Sequence, residues 1–339
     1  MPTRTLLAAT LLAAACLAVP CRGRAGTAPA TRFGVYEGNG CKGADQLATF
    51  TRWFGRAPDQ MLDFIAFDSW ASMTGDADWT AGCWSDRGHP RLEVSLPLTV
   101  SGTPLAEVAD GRHDTEFRTA AASFIRRGYG DVVMRLGWEA NGGWNPWGGL
   151  NGQGFTRVDG SAYTNTPADY VRAFDHVVTV LRAMPGARFR FAWVVAQGWQ
   201  QVVQPTFYPG DAFVDDIGED IYNQAWGGAA PPSSDDAWSS LHHNYSLDWI
   251  GPFARDHGKT LSVDEWGTGI RPDGHGVGED AEFIRRMADY FRENNVAWAN
   301  YWDYPASDYD SKLSVPFPDG HYRFPATGKA LIETFGGSR

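Results

Sequence analysis

The stretch Val132-Val133-Met134-Arg135-Leu136-Gly137-Trp138-Glu139-Ala140-Asn141-Gly142-Gly143-Trp144 decides the fold. Its first five residues form an apolar run, broken by one Arg, that is too short for a typical helix. The run stops at a glycine and is followed at once by reactive and aromatic residues, as in a buried parallel strand whose carboxyl end delivers a functional turn. Working outward, similar runs lie at Phe33 to Tyr36, Phe64 to Phe67, Arg91 to Leu96, Arg190 to Val195, Asp216 to Tyr222, Thr260 to Val263 and Ala297 to Tyr301, which with Val132 to Leu136 makes eight strands. Between them, Gln46 to Phe54, Thr115 to Arg127, Ala168 to Arg182, Leu241 to Asp256 and Glu279 to Glu293 place apolar residues at three- and four-residue spacing, the signature of amphipathic helices. Thr166 and Pro167 form a helix start. Alternating strands and helices predict an α/β chain closed as a (β/α)8 TIM barrel. The second and fifth crossover helices have no clear pattern. Long loops are expected at Gly143 to Thr166 and Ser307 to Pro325, after the fourth and eighth strands.

The amino terminus reads as a secretory signal over residues 1–30: Arg4, an apolar run from Leu6 to Val19, then small residues around Ala25 to Ala30. About fourteen apolar residues fall short of the roughly 20 that a bilayer span requires. The expectation is a secreted or periplasmic protein with a single barrel domain over residues 31–339. Lipidation at Cys16 or Cys21 is the weaker alternative, since Pro20 sits poorly before Cys21. Cys41 and Cys83 then remain, and an oxidising compartment favours a disulfide between them over two buried thiols.

A net charge of −11 argues against nucleic acid and anionic membrane as partners, because phosphates are held by clustered Lys and Arg. The 15 Trp and 12 Tyr point instead to a carbohydrate, since a flat aromatic face stacks on the apolar face of a sugar ring. His242, His243, His257 and His275 lack the spacing of a metal site. No metal, no cofactor and a monomeric state are expected.

Barrel enzymes keep their chemistry at the carboxyl ends of strands. Glu139 follows the fourth strand, and Asp264-Glu265-Trp266-Gly267 follows the seventh. Two carboxylates across a barrel mouth suit glycosidic cleavage, in which one protonates the leaving oxygen and the other attacks the anomeric carbon. Their proton affinities must differ, and Trp138 and Trp144 beside Glu139 supply the apolar surroundings that a general acid needs. Arg135 faces the same side as Glu139 by strand alternation. Asp264 competes with Glu265, because a register shift of one residue would exchange them. Taken singly, each Glu is more often a solvated loop residue. Trp144, Trp147, Trp199, Trp226 and Trp266 follow strand ends and are candidate sugar platforms, with packing under a loop as the alternative for each. Asn141 is a candidate hydrogen-bond partner for a substrate hydroxyl, and Glu37, Asp68 and Trp70 are weaker candidates.

The string Arg135-Leu136-Gly137-Trp138-Glu139-Ala140-Asn141-Gly142, followed by aromatic residues, resembles clan A glycoside hydrolases and is most similar to family 26, the β-mannanase family. Nearly the whole chain after the signal can be laid on that framework, but only the fourth- and seventh-strand motifs are specific. The resemblance implies Glu139 as acid/base, Glu265 as nucleophile, Tyr222 as a hydrogen-bond donor to the nucleophile, and Trp302 as the floor beneath the cleaved sugar. Trp138 stands where the mannanases carry His, which weakens mannan as the substrate. The expected activity is retaining endo-hydrolysis of a β-linked polysaccharide: a mannan, another β-glycan or a bacterial exopolysaccharide. A non-catalytic glycan-binding barrel is the alternative from another class. A lyase or metal hydrolase would ask for a Lys, Tyr or His constellation at strand ends that the sequence does not offer.

Overall fold

A computed structural model describes residues 30–198 and 200–337 of the protein. The signal-like segment, with Cys16 and Cys21, and Trp199 lie outside the described residues. Eight parallel strands close into a barrel: Arg32–Tyr36, Gln60–Phe64, Leu92–Leu96, Val133–Leu136, Arg190–Ala196, Asp216–Asn223, Thr260–Thr268 and Trp298–Trp302, each paired with its neighbours in sequence and the first with the last. They are named below by that order.

Seven of the expected strands coincide with these. The second does not: it runs Gln60–Phe64 and meets the expected Phe64 to Phe67 only at its final residue. Gln60 and Asp63 are polar yet buried, so the strand does not present an apolar run. Gln60 points into the barrel, where its amide donates to Glu93 at 3.2 Å and to Asn300 at 2.8 Å. Buried polar groups are tolerated when they are paired in this way.

The outer layer follows the same logic. The helix Pro167–Arg182 starts with Thr166 as cap, in a reciprocal capping box with Asp169. The second crossover helix, Trp70–Ser85, buries residues around its whole circumference and so shows no single stripe. Between the fifth and sixth strands the described residues contain only a 3-10 turn, Gln204–Phe207, which explains the missing helical pattern there. The expected Leu241 to Asp256 helix is interrupted: residues 241–246 form a turn, and the helix is Leu247–Asp256. The loop after the fourth strand carries a small hairpin, Gly154–Thr156 with Ala162–Thr164.

A bulge in the seventh strand matters most for the site. Glu219 and Asp220 of the sixth strand pair with Val263 and Glu265, skipping Asp264, and the register with the eighth strand shifts between Val263 and Trp266. One extra residue reverses the alternation beyond it. Ser262 and Asp264 point inward and share a hydrogen bond of 2.9 Å. Room for the Asp264 carboxylate comes from Gly218, where a Cβ would fall on it. After the bulge Glu265 also points inward, toward the mouth, and Trp266 points outward.

Cys41 and Cys83 form a disulfide that ties the helix Gly40–Phe54 to Trp70–Ser85 across a sequence separation of 42. In the chain-entropy model such a loop is worth about 4 kcal/mol. Replacing both cysteines by Ser is expected to lower unfolding stability by up to that amount without altering the barrel, as read by denaturant titration and circular dichroism. An unchanged midpoint would remove the disulfide from the stabilising interactions.

Candidate active site

The carboxyl ends of the strands surround a cleft of about 550 Å3, lined by Phe64, Trp138, Glu139, Trp144, Tyr222 and Glu265, with Asp220, Trp226, Arg271 and Trp302 completing its walls. At its base lies Arg135, fully buried. Arg135 donates to Glu265 Oε1 at 2.5 Å and to Ser95 Oγ at 3.1 Å, and its other terminal nitrogen pairs with Asp220. The guanidinium also lies over the rings of Phe64 and Trp138, 5.6 Å from each centroid. The Tyr222 hydroxyl donates to Glu265 Oε2 at 2.5 Å. Burial, then the neighbouring Glu265 charge, pushes that phenol well above its ordinary range, so it stays protonated and donates. Both Glu265 oxygens are therefore held from opposite sides.

Glu139 is positioned differently. The backbone turns sharply after Leu136, with Gly137 at φ 56° and Glu139 at φ 55°. Gly137 has no room for a side chain, since a Cβ would meet Leu98 Cβ at 2.7 Å. Glu139 itself occupies the left-handed region that non-glycine residues seldom adopt, a local cost that functional sites often carry. The turn is pinned by Glu139 N donating to Val194 O at 2.9 Å. The Trp144 indole donates to Glu139 Oε2 at 2.7 Å. Burial, and then the Glu265 charge, pushes the Glu139 carboxyl up to about 7, opposed by Arg135 and the Trp144 hydrogen bond.

Asp220 was not singled out by sequence reasoning, although it sits two residues before Tyr222 and shares its face of the strand. Burial raises its proton affinity well above the ordinary range, against the pull of Arg135, with Glu265 and Glu139 adding repulsion. One guanidinium thus faces three carboxyl groups. They cannot all be ionised at modest cost, and a proton is retained among Glu139 and Asp220 near neutral pH. Gln197, beyond the fifth strand, was also missed; its side-chain oxygen accepts from Tyr222 N, and it borders the cleft.

The other candidates divide. Trp138, Trp144, Tyr222, Trp226 and Trp302 line the cleft, with Trp144 and Trp226 more than half exposed. Four residues expected to touch substrate do not. Arg135 is fully buried and engaged by Glu265, Asp220 and Ser95. Asn141 is buried and uses both ends of its amide on the fifth strand, donating to Ala196 O and accepting from Ala196 N, each at 2.9 Å. Trp147 is fully buried against Trp138 and Phe67, with its indole donating to Trp138 O at 2.6 Å. Trp266 is turned outward by the bulge and packs among Phe33, Phe283, Phe291, Tyr301 and Phe335. Among the described residues no group of three His, Cys, Asp or Glu is arranged to hold a metal, and no helix is long and apolar enough to cross a membrane.

Residues 128–239, which include the Glu139 turn, Asp220 and Tyr222, match the model of glycosyl hydrolase family 26. The match covers about a third of the chain. The resemblance seen in the fourth-strand motif is thereby shown: among clan A glycoside hydrolases the chain is most like family 26. A 130-residue stretch, 36% of the chain, is 30% identical to Endoglucanase H of Acetivibrio thermocellus, and it spans only 13% of that relative's length. The fold is shared with the catalytic domain of the family 26 endo-β-1,4-mannanase of Bacillus sp. JAMB-750 (TM-score 0.62, 16% identity, 91% of this chain and 86% of that one). It is also shared with a double mutant of the Cellulomonas fimi endo-β-1,4-mannanase (TM-score 0.62, 17% identity, 91% and 72%). The matched segment thus contains one of the two cleft glutamates, Glu139, and the barrel supplies Glu265 from beyond it.

The hydrogen bond from Trp144 favours the ionised form of Glu139, so its removal has a definite sign. Trp144→Phe is expected to raise the Glu139 midpoint above about 7, followed by carboxyl 13C NMR. Because the folded-state affinity is raised above the ordinary 4.5, stability linked to this proton is lost as pH rises through about 7. The variant should shift that loss upward as well. A midpoint that stays put or falls would show that the indole contact does not act on the carboxylate.

Proposed function

We propose that the chain is a secreted or periplasmic, monomeric, retaining endo-glycoside hydrolase that cleaves a β-linked polysaccharide by double displacement, without cofactor. The observation that carries this reading is the contrast between the two glutamates. Glu265 is gripped by Arg135 and Tyr222 at 2.5 Å each, whereas Glu139 is pushed up to about 7 by burial and by Glu265 itself. Pairs of carboxyl groups with divergent environments are the mark of separate acid and nucleophile roles.

In the first step the protonated Glu139 gives its proton to the glycosidic oxygen while Glu265 attacks the anomeric carbon, forming a glycosyl ester and releasing the leaving sugar. Glu139, now a carboxylate, then removes a proton from water as the water oxygen attacks the anomeric carbon and frees Glu265. Arg135 and Tyr222 stabilise Glu265 as it departs. Trp302, stacked on Tyr36 with centroids 4.2 Å apart, forms a rigid wall beside the reacting ring.

The proposed substrate is a β-mannan, another β-glycan or a bacterial exopolysaccharide. Solved neighbours named as endo-β-1,4-mannanases support the first, and the relative named Endoglucanase H supports the second. Trp138 favours departure from mannan, because its indole packs on Arg135 and Phe64 where the mannanases carry an imidazole.

The purified protein should release reducing sugar from at least one of β-mannan, β-glucan, β-xylan and a bacterial exopolysaccharide, and Glu139→Gln and Glu265→Gln should abolish release. Retention of a polysaccharide without release would favour the non-catalytic glycan-binding barrel. Glu265→Ala should cost several kcal/mol of barrier, with azide restoring part of the turnover as a glycosyl azide of inverted configuration. A loss of less than tenfold would exclude Glu265 as nucleophile. Against pH, kcat/KM should fall as Glu139 ionises near 7.

A further inference from the structure

A second pocket, of about 610 Å3, lies beside the mouth between the helix Gly40–Phe54 and the chain that follows the eighth strand. Its walls include Glu37, Lys42, Gln46, Tyr304, Lys312 and Phe317. It is separated from the cleft by one segment of chain, residues 302–310. Trp302, Ala306, Asp308 and Tyr309 of that segment border the cleft, while Tyr304, Pro305 and Asp310 border the second pocket. An aromatic ladder crosses the divide: Trp302 to Tyr36 at 4.2 Å, then Tyr36 to Tyr304 at 5.2 Å between centroids.

The polar part of this pocket is built rather than incidental. Lys312 donates to Glu37 Oε2 at 2.5 Å and lies 3.1 Å from Asp303 Oδ2, with the side chains of Glu37 and Asp303 fully buried. Glu37 Oε1 is buried and accepts no hydrogen bond among the described residues. Arg323 is balanced by Asp310 at 3.2 Å, and Asp45 by Arg87 at 2.6 Å. The charges are thus largely matched within the walls, and Lys42 adds an exposed donor. Phe317 and Val315 stand 44% and 43% exposed at the rim. Paired polar groups beside exposed apolar and aromatic surface suit an uncharged, polyhydroxylated ring more than an ion or an apolar peptide.

We infer that this pocket is an accessory carbohydrate site, which holds a neutral sugar of the polysaccharide chain at a distance from the bond being cleaved. The inference rests on the reading of the adjoining cleft as a glycan site. The Arg323 guanidinium lies over one face of Phe317, 5.1 Å from its centroid, so Phe317 supplies its other face for stacking at the rim, and Lys42 donates to ring hydroxyls. A polymer that crosses the 302–310 segment engages both sites, whereas a short substrate fills only the cleft, so the accessory site acts on the apparent affinity for polymer.

The test uses the full protein with Glu265→Gln, run in native gels containing each of the four polysaccharides named above, alone and combined with Phe317→Ala or Lys42→Ala. Both positions are at the surface, and matching thermal unfolding verifies folding. Retention by the preferred polysaccharide is expected to weaken about fivefold for Phe317→Ala and to fall measurably for Lys42→Ala, the first corresponding to about 1 kcal/mol. In the active protein the same substitutions should raise KM for polymer about fivefold, leaving kcat and the turnover of a short aryl β-glycoside unchanged. Unaltered retention and KM in both variants would overturn the accessory site, as would the absence of retention by all four polysaccharides. Weakened retention in a protein that releases no sugar would uphold this site while removing the hydrolase reading, so the two failures are told apart.

Discussion

The site is organised around a cation that no solvent reaches. A buried guanidinium is costly unless its charge is matched, and Arg135 is matched twice, by Glu265 and by Asp220. Removal of either acid breaks one of these pairs, and removal of Arg135 leaves buried acids that repel. The arrangement therefore holds Glu265 in one geometry. Burial, and then the charge of Glu265, raise the proton affinity of Glu139, and Arg135 opposes that rise. The site thus has one carboxylate held by strong donors and one carboxyl that retains its proton to about 7.

Whether Glu265 meets Arg135 at all depends on the bulge at Asp264. Regular alternation from Ser262 would place Asp264 and Trp266 inward and turn Glu265 away. The sequence shows the residues Asp264-Glu265-Trp266 but not which of them face the barrel, since a bulge has no signature in a run of this length. For that reason Trp266 looked like a sugar platform when it belongs to the packing beneath the helices. The fourth strand was easier to read: Val132 to Leu136 is regular, and the glycine that follows announces the turn that lifts Glu139.

The barrel as a whole was legible wherever strands were apolar and helices had one buried face. It was obscured where the interior is polar. Gln60, Glu93, Asn300 and Asp264 form a hydrogen-bonded network inside the barrel, with Asn300 donating to Glu93 at 2.7 Å and to Asp264 O at 3.0 Å. The second strand, with buried Gln60 and Asp63 among its five residues, loses the apolar continuity by which a parallel strand is recognised. The second strand was displaced for this reason. Asp220 was overlooked for a related one: an acid in an otherwise ordinary strand becomes visible as a site residue only when Arg135, 85 residues away in sequence but adjacent in space, is seen to share it.

Aromatic content pointed to carbohydrate, yet the individual tryptophans separate by what their indole nitrogens do. Trp147 spends its N–H on the backbone of Trp138, which stiffens the turn behind Glu139. Trp144 spends its N–H on Glu139 while leaving more than half of its surface exposed. The first is scaffold and the second joins the cleft, although both follow the same strand within three residues. Position after a strand therefore selects residues near the mouth, but exposure together with the hydrogen-bond partner decides which of them open onto the cleft. By that criterion the cleft offers Trp144 beside the acid and Trp302 against Tyr36, two flat faces at different edges of the mouth. Trp302 is set there by its stack on Tyr36, and Trp144 by its hydrogen bond to Glu139.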